Sequence, residues 1–189
     1  MKIKRKIGEL FFQIIPVMIG VYLGFIVSNW SESKQQDSKK KLLIENIISE
    51  IKDNKNNINM VVDYHEMLRD SSRYFLKSGK NQIPSFFRGV NTLTLTNSAF
   101  ETGIQTGLLN ELSIDKIQSL NRVYASQKAY NEFCNILLSG LINMDFMDNE
   151  ESIQKILQFL SISMTDVAIK ERHLLKEYEN VINNTLVGK

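Results

Sequence analysis

The sequence predicts an all-α protein: an N-terminal transmembrane helix followed by an elongated extramembrane bundle of three long helices and one short helix. Two observations lead to this fold class. An uncharged apolar run lies near the amino terminus, and long stretches of the remaining chain place apolar residues three and four positions apart. Only 2 Pro and 9 Gly occur in 189 residues, so few residues interrupt such helices.

The apolar run extends from Leu10 to Trp30, 21 residues without a formal charge. A helix of that length covers roughly 30 Å, the thickness of the hydrocarbon core of a bilayer. Trp30 is placed where an interfacial aromatic anchor belongs. We therefore expect a basic head over residues 1–6 and a transmembrane helix over residues 7–30, in contact with the lipid bilayer.

Two other interpretations of this run are a buried core helix and a cleaved signal peptide. Few soluble helices are apolar on all sides for so long. A signal peptide has an apolar region of about 7–15 residues and small residues at its cleavage site, whereas no alanine precedes Ala99 here. An uncleaved signal anchor, spanning the membrane once, fits the sequence better.

The flanking charges favour one orientation of the span. Four basic residues precede it and four follow at Lys34 and 39–41, but the first group lies closer to the membrane. Since basic residues accumulate on the cytoplasmic side, we expect a bacterial inner-membrane protein with a periplasmic carboxy-terminal domain; the cytoplasmic alternative stays open. Residues 31–41 are either a charged linker or an extension of the helix.

One face of the span carries small residues at Gly20, Gly24 and Ser28, four positions apart. Such spacing lets two helix backbones approach closely in lipid, which predicts a membrane-helix contact between copies or with a partner membrane protein. The alternative is that these glycines reflect only the general frequency of glycine in membrane helices.

Residues 42–189 are predicted to form the helical bundle. Three long helices are expected, over about 42–78, 114–141 and 149–186, with a short helix over 99–108 that opens with a Ser98–Glu101 capping box. The loop over 79–95 contains Phe86 and Phe87, which either tuck under the bundle or form a partner-binding loop. Residues 91–97 alternate as in a strand, but one short strand without a mate is not expected to persist.

Composition and motifs exclude several activities. A net charge of +2 is too small to indicate a nucleic-acid partner. The single Cys134 excludes an internal disulfide and a cysteine-based metal cluster, and it is expected to be a small buried hydrophobe. The chain has no phosphate-binding loop, no nucleophile elbow and no zinc-binding histidine pair. We expect no enzyme activity, no metal and no cofactor.

Three polar residues interrupt the apolar seams of the long helices: Asn54, His65 and Glu171. Such residues often fix the register of helix packing. A sharper hypothesis pairs His65 with Glu171 as a pH-sensitive element. If the first and last long helices are parallel, His65 falls within one turn of Glu171, whereas an antiparallel arrangement brings Asn54 to Glu171.

The sequence also resembles a family of uncharacterised single-pass membrane proteins of Bacteroidetes-type bacteria. The resemblance lies in Ile7-Gly8-Glu9 at the start of the span and Asn29-Trp30 at its end. The segment "SAFETGIQTGLLNELSIDKIQSLNRVY" is similar as well, with Gly107, Leu108 and Tyr124 matching. The family is a domain of unknown function, so the resemblance implies a short basic head, a span and a helical domain, and it implies no activity.

Together these observations predict a membrane-anchored, non-enzymatic interaction or scaffold protein that self-associates or binds a partner protein. A sensory bundle that binds a ligand and signals through the span is the first alternative. A subunit of an oligomeric membrane pore is the second.

Overall fold

The computed structural model describes residues 2–80, 82–147 and 149–186, with side chains for residues 14–80, 82–147 and 149–183. Over these residues the chain is helical and has no strand, which confirms the all-α class. The helices are α1 (Lys2–Ser78), α2 (Ser98–Gln105), α3 (Ile114–Ile142) and α4 (Glu150–Asn180). A 3-10 turn precedes α3 at Leu108–Glu111, and a π-helical turn follows α4 at Val181–Leu186.

The chain divides into two compact units, Met1–Leu43 and Ile44–Lys189. In the first unit α1 carries an apolar stretch near the amino terminus that is long and apolar enough to cross a membrane. Side chains from Ile14 to Trp30 are all exposed, with Pro16 inside the helix. Residues 31–41 are helical throughout and belong to α1.

The second unit, here called the bundle domain, has an apolar core drawn from α1, α3 and α4. Each fully buried Leu or Ile contributes roughly 1.5–3 kcal/mol relative to an exposed side chain. The side chains with no exposed surface include Ile47, Ile51, Ile58, Leu68, Leu120, Val123, Leu157, Leu160 and Met164.

Contacts between side chains fix the helix directions within the bundle domain. Lys55 Nζ lies 2.9 Å from Glu179 Oε1, and Arg73 Nη2 donates to Thr165 Oγ1 at 2.7 Å, so α1 and α4 are antiparallel. Glu50 meets Tyr124 near the start of both segments, and Asn54 meets Gln127 one turn later, so α1 and α3 are parallel.

Because α1 and α3 are parallel, the chain has to return along the domain between them. Gly79 ends α1 with φ 66°, and the Lys80 amide donates back to the Phe75 carbonyl at 3.0 Å, as in a Schellman cap. Residues 88–97, here called the strap, are irregular and lead back to the start of α2. Ten extended residues reach up to about 33 Å, more than the roughly 22 Å that α1 rises between residues 50 and 65.

Several boundaries differ from those expected. Helix α2 starts at Ser98 with Asn97 as its N-cap, and the side-chain Nδ2 of Asn97 donates to Glu101 Oε1 at 2.7 Å, so the Ser98–Glu101 capping box is wrong. The strand-like alternation over 91–97 belongs to the strap, where side chains rather than a second strand pair with the backbone. Helix α4 ends at Asn180, before the π-helical turn.

Candidate functional site

A cluster of polar side chains, here called the polar core, lies inside the bundle domain, and His65 is at one end of it. His65 Nδ1 is 2.9 Å from Glu171 Oε1 and 3.1 Å from Oε2, and both side chains have no exposed surface. The Tyr130 hydroxyl donates to Glu171 Oε1 at 2.9 Å. The second ring nitrogen, Nε2, is 2.7 Å from the carbonyl oxygen of Val90 in the strap.

The structure thus brings His65 and Glu171 together, but in an arrangement other than the one expected. The seam spacing predicts this pair only for parallel helices, whereas α1 and α4 are antiparallel. For antiparallel helices the spacing predicts a contact between Asn54 and Glu171, and this prediction is wrong. It assumes that Ile44 lies level with Val181, but His65 is the residue level with Glu171, so the two helices are shifted by about three helical turns from that alignment.

Asn54 is the centre of a second group of buried hydrogen bonds. Its Oδ1 accepts from the Thr96 amide at 3.0 Å, and its Nδ2 donates to the Thr96 carbonyl at 2.7 Å. Gln127 Nε2 donates to the same carbonyl at 2.7 Å, and Gln127 Oε1 accepts from the Tyr178 hydroxyl at 2.7 Å. Asn54 and Gln127 are each 1% exposed, so these bonds replace water entirely.

Glu50 forms the third group, at the start of the bundle segment of α1. Its Oε1 accepts from the Tyr124 hydroxyl at 2.7 Å, and its Oε2 accepts from the Ala99 amide at 2.9 Å. Burial, followed by the bond to Glu50, raises the pKa of Tyr124 far above its usual range. The Phe100 ring stacks on Tyr124 at 4.1 Å, which closes this end of the core.

Side chains around the polar core hold the strap by its backbone. Besides Thr96 and Val90, the Leu95 amide donates to Asn131 Oδ1 at 3.0 Å and the Leu95 carbonyl accepts from Asn131 Nδ2 at 2.9 Å. The Tyr64 hydroxyl donates to the Gly89 carbonyl at 2.6 Å. The strap has no partner strand among the described residues, so these side chains satisfy backbone groups that would otherwise be buried unpaired.

Sequence reasoning missed most members of the polar core. The rings of Tyr124 and Tyr130 fit the apolar spacing of α3, which hides their hydroxyl bonds, and the sequence-based expectations do not include Glu50 or Gln127. A signal for Gln127 exists: it fills the four-three spacing between Val123 and Tyr130 on the buried face. A polar residue at such a position indicates a buried hydrogen bond in the same way as Asn54 does.

The ionisable side chains of the polar core, Glu50, His65 and Glu171, are buried. Over the residues that the structure describes, no three His, Cys, Asp or Glu side chains are grouped so as to hold a metal ion. His173 is exposed on α4. Cys134 is buried, as expected, and burial raises the pKa of its thiol to about 11, which disfavours a reactive thiolate.

A different surface of the bundle domain is apolar and open. Between α3 and α4 lies a groove of about 300 Å³. Ile136 and Ile162 border it with 69% and 60% of their surface exposed, and Ile169 continues the strip at 61%. We call this the α3/α4 face; its groove is lined by Phe133, Ile136, Leu137, Gly140, Phe159, Ile162, Ser163 and Asp166.

Gly140 shapes this groove. A Cβ atom at this position would lie 3.2 Å from the Phe159 ring, closer than an ordinary van der Waals contact. Two side chains of opposite charge lie at the edge of the groove. Asp166 is exposed, and Lys170 Nζ lies 5.4 Å from the centroid of the Phe133 ring. The face is therefore apolar in the middle and carries both signs of charge at its edge.

The other predicted site residues belong to the first unit and to the loop before the strap. A Cβ atom added at Gly20 or Gly24 would have no neighbour within 4 Å, and Ser28 bonds only weakly, at 3.4 Å, to Glu32. Trp30 is 65% exposed, with Lys34 Nζ 5.0 Å from the ring centroid. Phe86 and Phe87 are half-buried, and the Phe86 ring meets Tyr64 edge-on at 6.4 Å.

Comparison of the chain with protein-family models, curated proteins and solved structures found no match. The resemblance to the single-pass membrane family therefore stays a prediction.

Proposed function

We propose that the chain is a membrane-anchored, non-enzymatic interaction protein whose bundle domain associates with a second copy of itself through the α3/α4 face. The observation that carries the proposal is the exposure of Ile136, Ile162 and Ile169 around an apolar groove. Contiguous exposed apolar surface of this kind is typical of interaction sites.

The choice of a second copy is supported by the rim charges. Asp166 and Lys170 lie one helical turn apart on α4, beside the same groove. In a two-fold interface each surface patch meets itself, so a patch that carries both signs can pair Asp166 of one copy with Lys170 of the other. Anchoring in one membrane would confine the copies to the same thin layer, which raises their effective concentration.

A non-enzymatic role is supported by the burial of the ionisable groups in the polar core. Glu50, His65 and Glu171 are at most 9% exposed, and each bonds to groups inside the domain. A substrate would have to break these bonds to reach them. The proposed location is the bacterial inner membrane, with the apolar stretch of α1 as a single span and the bundle domain in the periplasm.

The test is the oligomeric state of the full chain in mild detergent, measured by light scattering and chemical crosslinking. We expect a dimer or larger homo-oligomer for the wild type. The double variant Ile136→Asp/Ile162→Asp should become monomeric because it places two charges in the apolar groove. Ile114→Asp is the matched control: Ile114 is 72% exposed on α3, outside the groove, and its variant should remain associated.

A monomeric wild type at all protein concentrations would overturn the proposal, and so would a double variant that associates like the wild type. Recovery of the wild type with a different protein in fixed stoichiometry would replace self-association with partner binding. The span is tested separately with Gly20→Leu/Gly24→Leu. If the isolated span associates equally well with and without these substitutions in a membrane assay, Gly20, Gly24 and Ser28 do not form the predicted membrane-helix contact.

A further inference from the structure

Gly140 is a glycine that the backbone of α3 does not require. It is not among the described glycines with positive φ, so its backbone conformation is one that any residue adopts. The residue does not end the helix either, because α3 continues to Ile142 and has Asn143 as its C-cap. Alanine and leucine both favour a helix more than glycine does. Neither the φ angle nor the end of the helix therefore explains a glycine at this position.

The space that a side chain at Gly140 would need is occupied by the ring of Phe159 from α4. A Cβ atom built on Gly140 would lie 3.2 Å from Cε2 and 3.3 Å from Cζ of that ring. Carbon atoms in good contact are about 3.5–4.0 Å apart. Gly140 thus lets the Phe159 ring approach α3 more closely than any larger residue at this position would permit.

The position of this ring determines how much of the groove on the α3/α4 face stays open. Gly140 and Phe159 both line the groove, and both are half-buried. Because the core beneath them is close-packed, a ring that is pushed by a new side chain moves outward into the groove. A longer side chain at position 140 projects into the groove itself. Either change fills part of its 300 Å³.

The same face carries the projecting side chains that fit such a groove. Ile136 and Ile162 border the groove and are exposed, and Ile169 continues the strip along α4. In a two-fold interface each copy offers the same patch, so one face has to supply both the projecting and the recessed parts. Branched aliphatic side chains that insert between residues of a facing helix are typical of helix packing.

We propose that Gly140 and Phe159 form a socket on the α3/α4 face that receives an isoleucine side chain of the second copy. Gly140 acts through the volume that it leaves empty, and it thereby decides whether two copies pack together. This role rests on the proposed self-association and names the residue that makes it sterically possible. A symmetric dimer contains the socket twice, so one substitution closes both sockets.

The test measures the Kd of self-association for the full chain in mild detergent by sedimentation equilibrium. Gly140→Leu is expected to raise the Kd roughly 10- to 100-fold, because overpacking of a tight contact costs about that factor. Gly140→Ala should raise the Kd by a smaller factor, since its single methyl group only displaces the Phe159 ring. Ser139→Leu is the matched control and should keep the wild-type Kd. Ser139 is exposed outside the groove, and its hydroxyl donates only to the Asn135 carbonyl of the same helix.

The stability of the monomer separates the socket from a role in folding alone. Urea unfolding is followed by circular dichroism at protein concentrations below the Kd. The unfolding midpoint of Gly140→Ala should equal or exceed that of the wild type, because alanine favours the helix and the half-buried Phe159 ring is free to move outward. The substitution is therefore expected to weaken self-association without weakening the fold.

If the wild type associates and Gly140→Leu associates as tightly, the socket is wrong while the proposed self-association stands. A monomeric wild type overturns both. A lower unfolding midpoint for Gly140→Ala would assign the glycine to the packing of α3 on α4 rather than to the interface. Loss of association in Ser139→Leu would also overturn the socket, because the effect would not be specific to the groove. Gly140→Ala decides by the same criteria if Gly140→Leu does not fold.

Discussion

Single amide side chains fix the strap, and Asn54 bonds to both backbone groups of Thr96. We predict that Asn54→Ala lowers the free energy of unfolding by about 1–3 kcal/mol, because the buried Thr96 amide loses its acceptor. The measurement is urea unfolding followed by circular dichroism. Asn59→Ala is the control on the same helix: Asn59 is exposed, and its variant should stay within about 0.5 kcal/mol of the wild type.

Cys134 gives a second prediction at this scale. Burial raises the pKa of its thiol from an ordinary 9.0 to about 11, so the thiolate fraction at pH 8 is about 100-fold smaller than in the unfolded chain. Native protein should therefore react with a disulfide reagent at least about 100-fold more slowly than protein in guanidinium. Equal rates would show that the thiol is not buried.

The thiol also has a defined effect on stability. A group with a raised pKa in the folded state contributes stability that is complete below its unfolded pKa and is lost as pH rises through the folded value. For Cys134 that window runs from about 9 to about 11.

Sequence reasoning succeeded for residues that interrupt an apolar seam and failed for those that continue it. Asn54, His65 and Glu171 were recognisable because each is polar where spacing requires an apolar residue. The rings of Tyr124 and Tyr130 fit the apolar pattern, so the pattern does not reveal the hydrogen bonds that their buried hydroxyl groups donate. Their role depends on which acceptor the fold places opposite them.

Between elements, an ion cluster joins α1 to α4 at the surface. Arg172 bonds to Glu66 at 2.9 Å and to Asp63 at 3.0 Å. The bond from Arg172 lowers the pKa of Glu66. The contribution of this bond to the free energy of unfolding is therefore present above the ordinary glutamate pKa of about 4.3 and is lost as pH falls below it.

We predict that Arg172→Ala lowers the free energy of unfolding by no more than about 1 kcal/mol at pH 7, because the cluster is solvated. The difference from the wild type should shrink between pH 5 and pH 3, measured by urea unfolding at each pH. A difference that grows toward pH 3 would contradict the assignment of the low pKa to this bond.

The helices themselves were predictable, but the path between them was not. Periodicity located α3 and the part of α1 over residues 42–78 within a few residues, because each buries one face. It placed the end of α4 at residue 186 rather than at Asn180. The strap has no period of its own. Its conformation follows from the parallel pairing of α1 and α3, and that pairing is set by contacts such as Glu50 with Tyr124, 74 residues apart.

At the scale of the whole molecule, the orientation in the membrane is open to direct measurement. With Cys134→Ser as background, we expect Gln36→Cys to react with a membrane-impermeant thiol reagent in spheroplasts, since residue 36 follows the apolar stretch. Ile3→Cys should react only after lysis. The reverse pattern would place the bundle domain in the cytoplasm.

The pairing of His65 with Glu171 also has a consequence for the order of synthesis. The two residues are 106 positions apart, and at about 5–20 residues per second a ribosome needs roughly 5–20 s to make the second after the first. During that interval the apolar side of α1 has no α4 to cover it. A nascent chain halted before residue 149 should therefore be exposed to proteases and chaperones that the finished protein escapes.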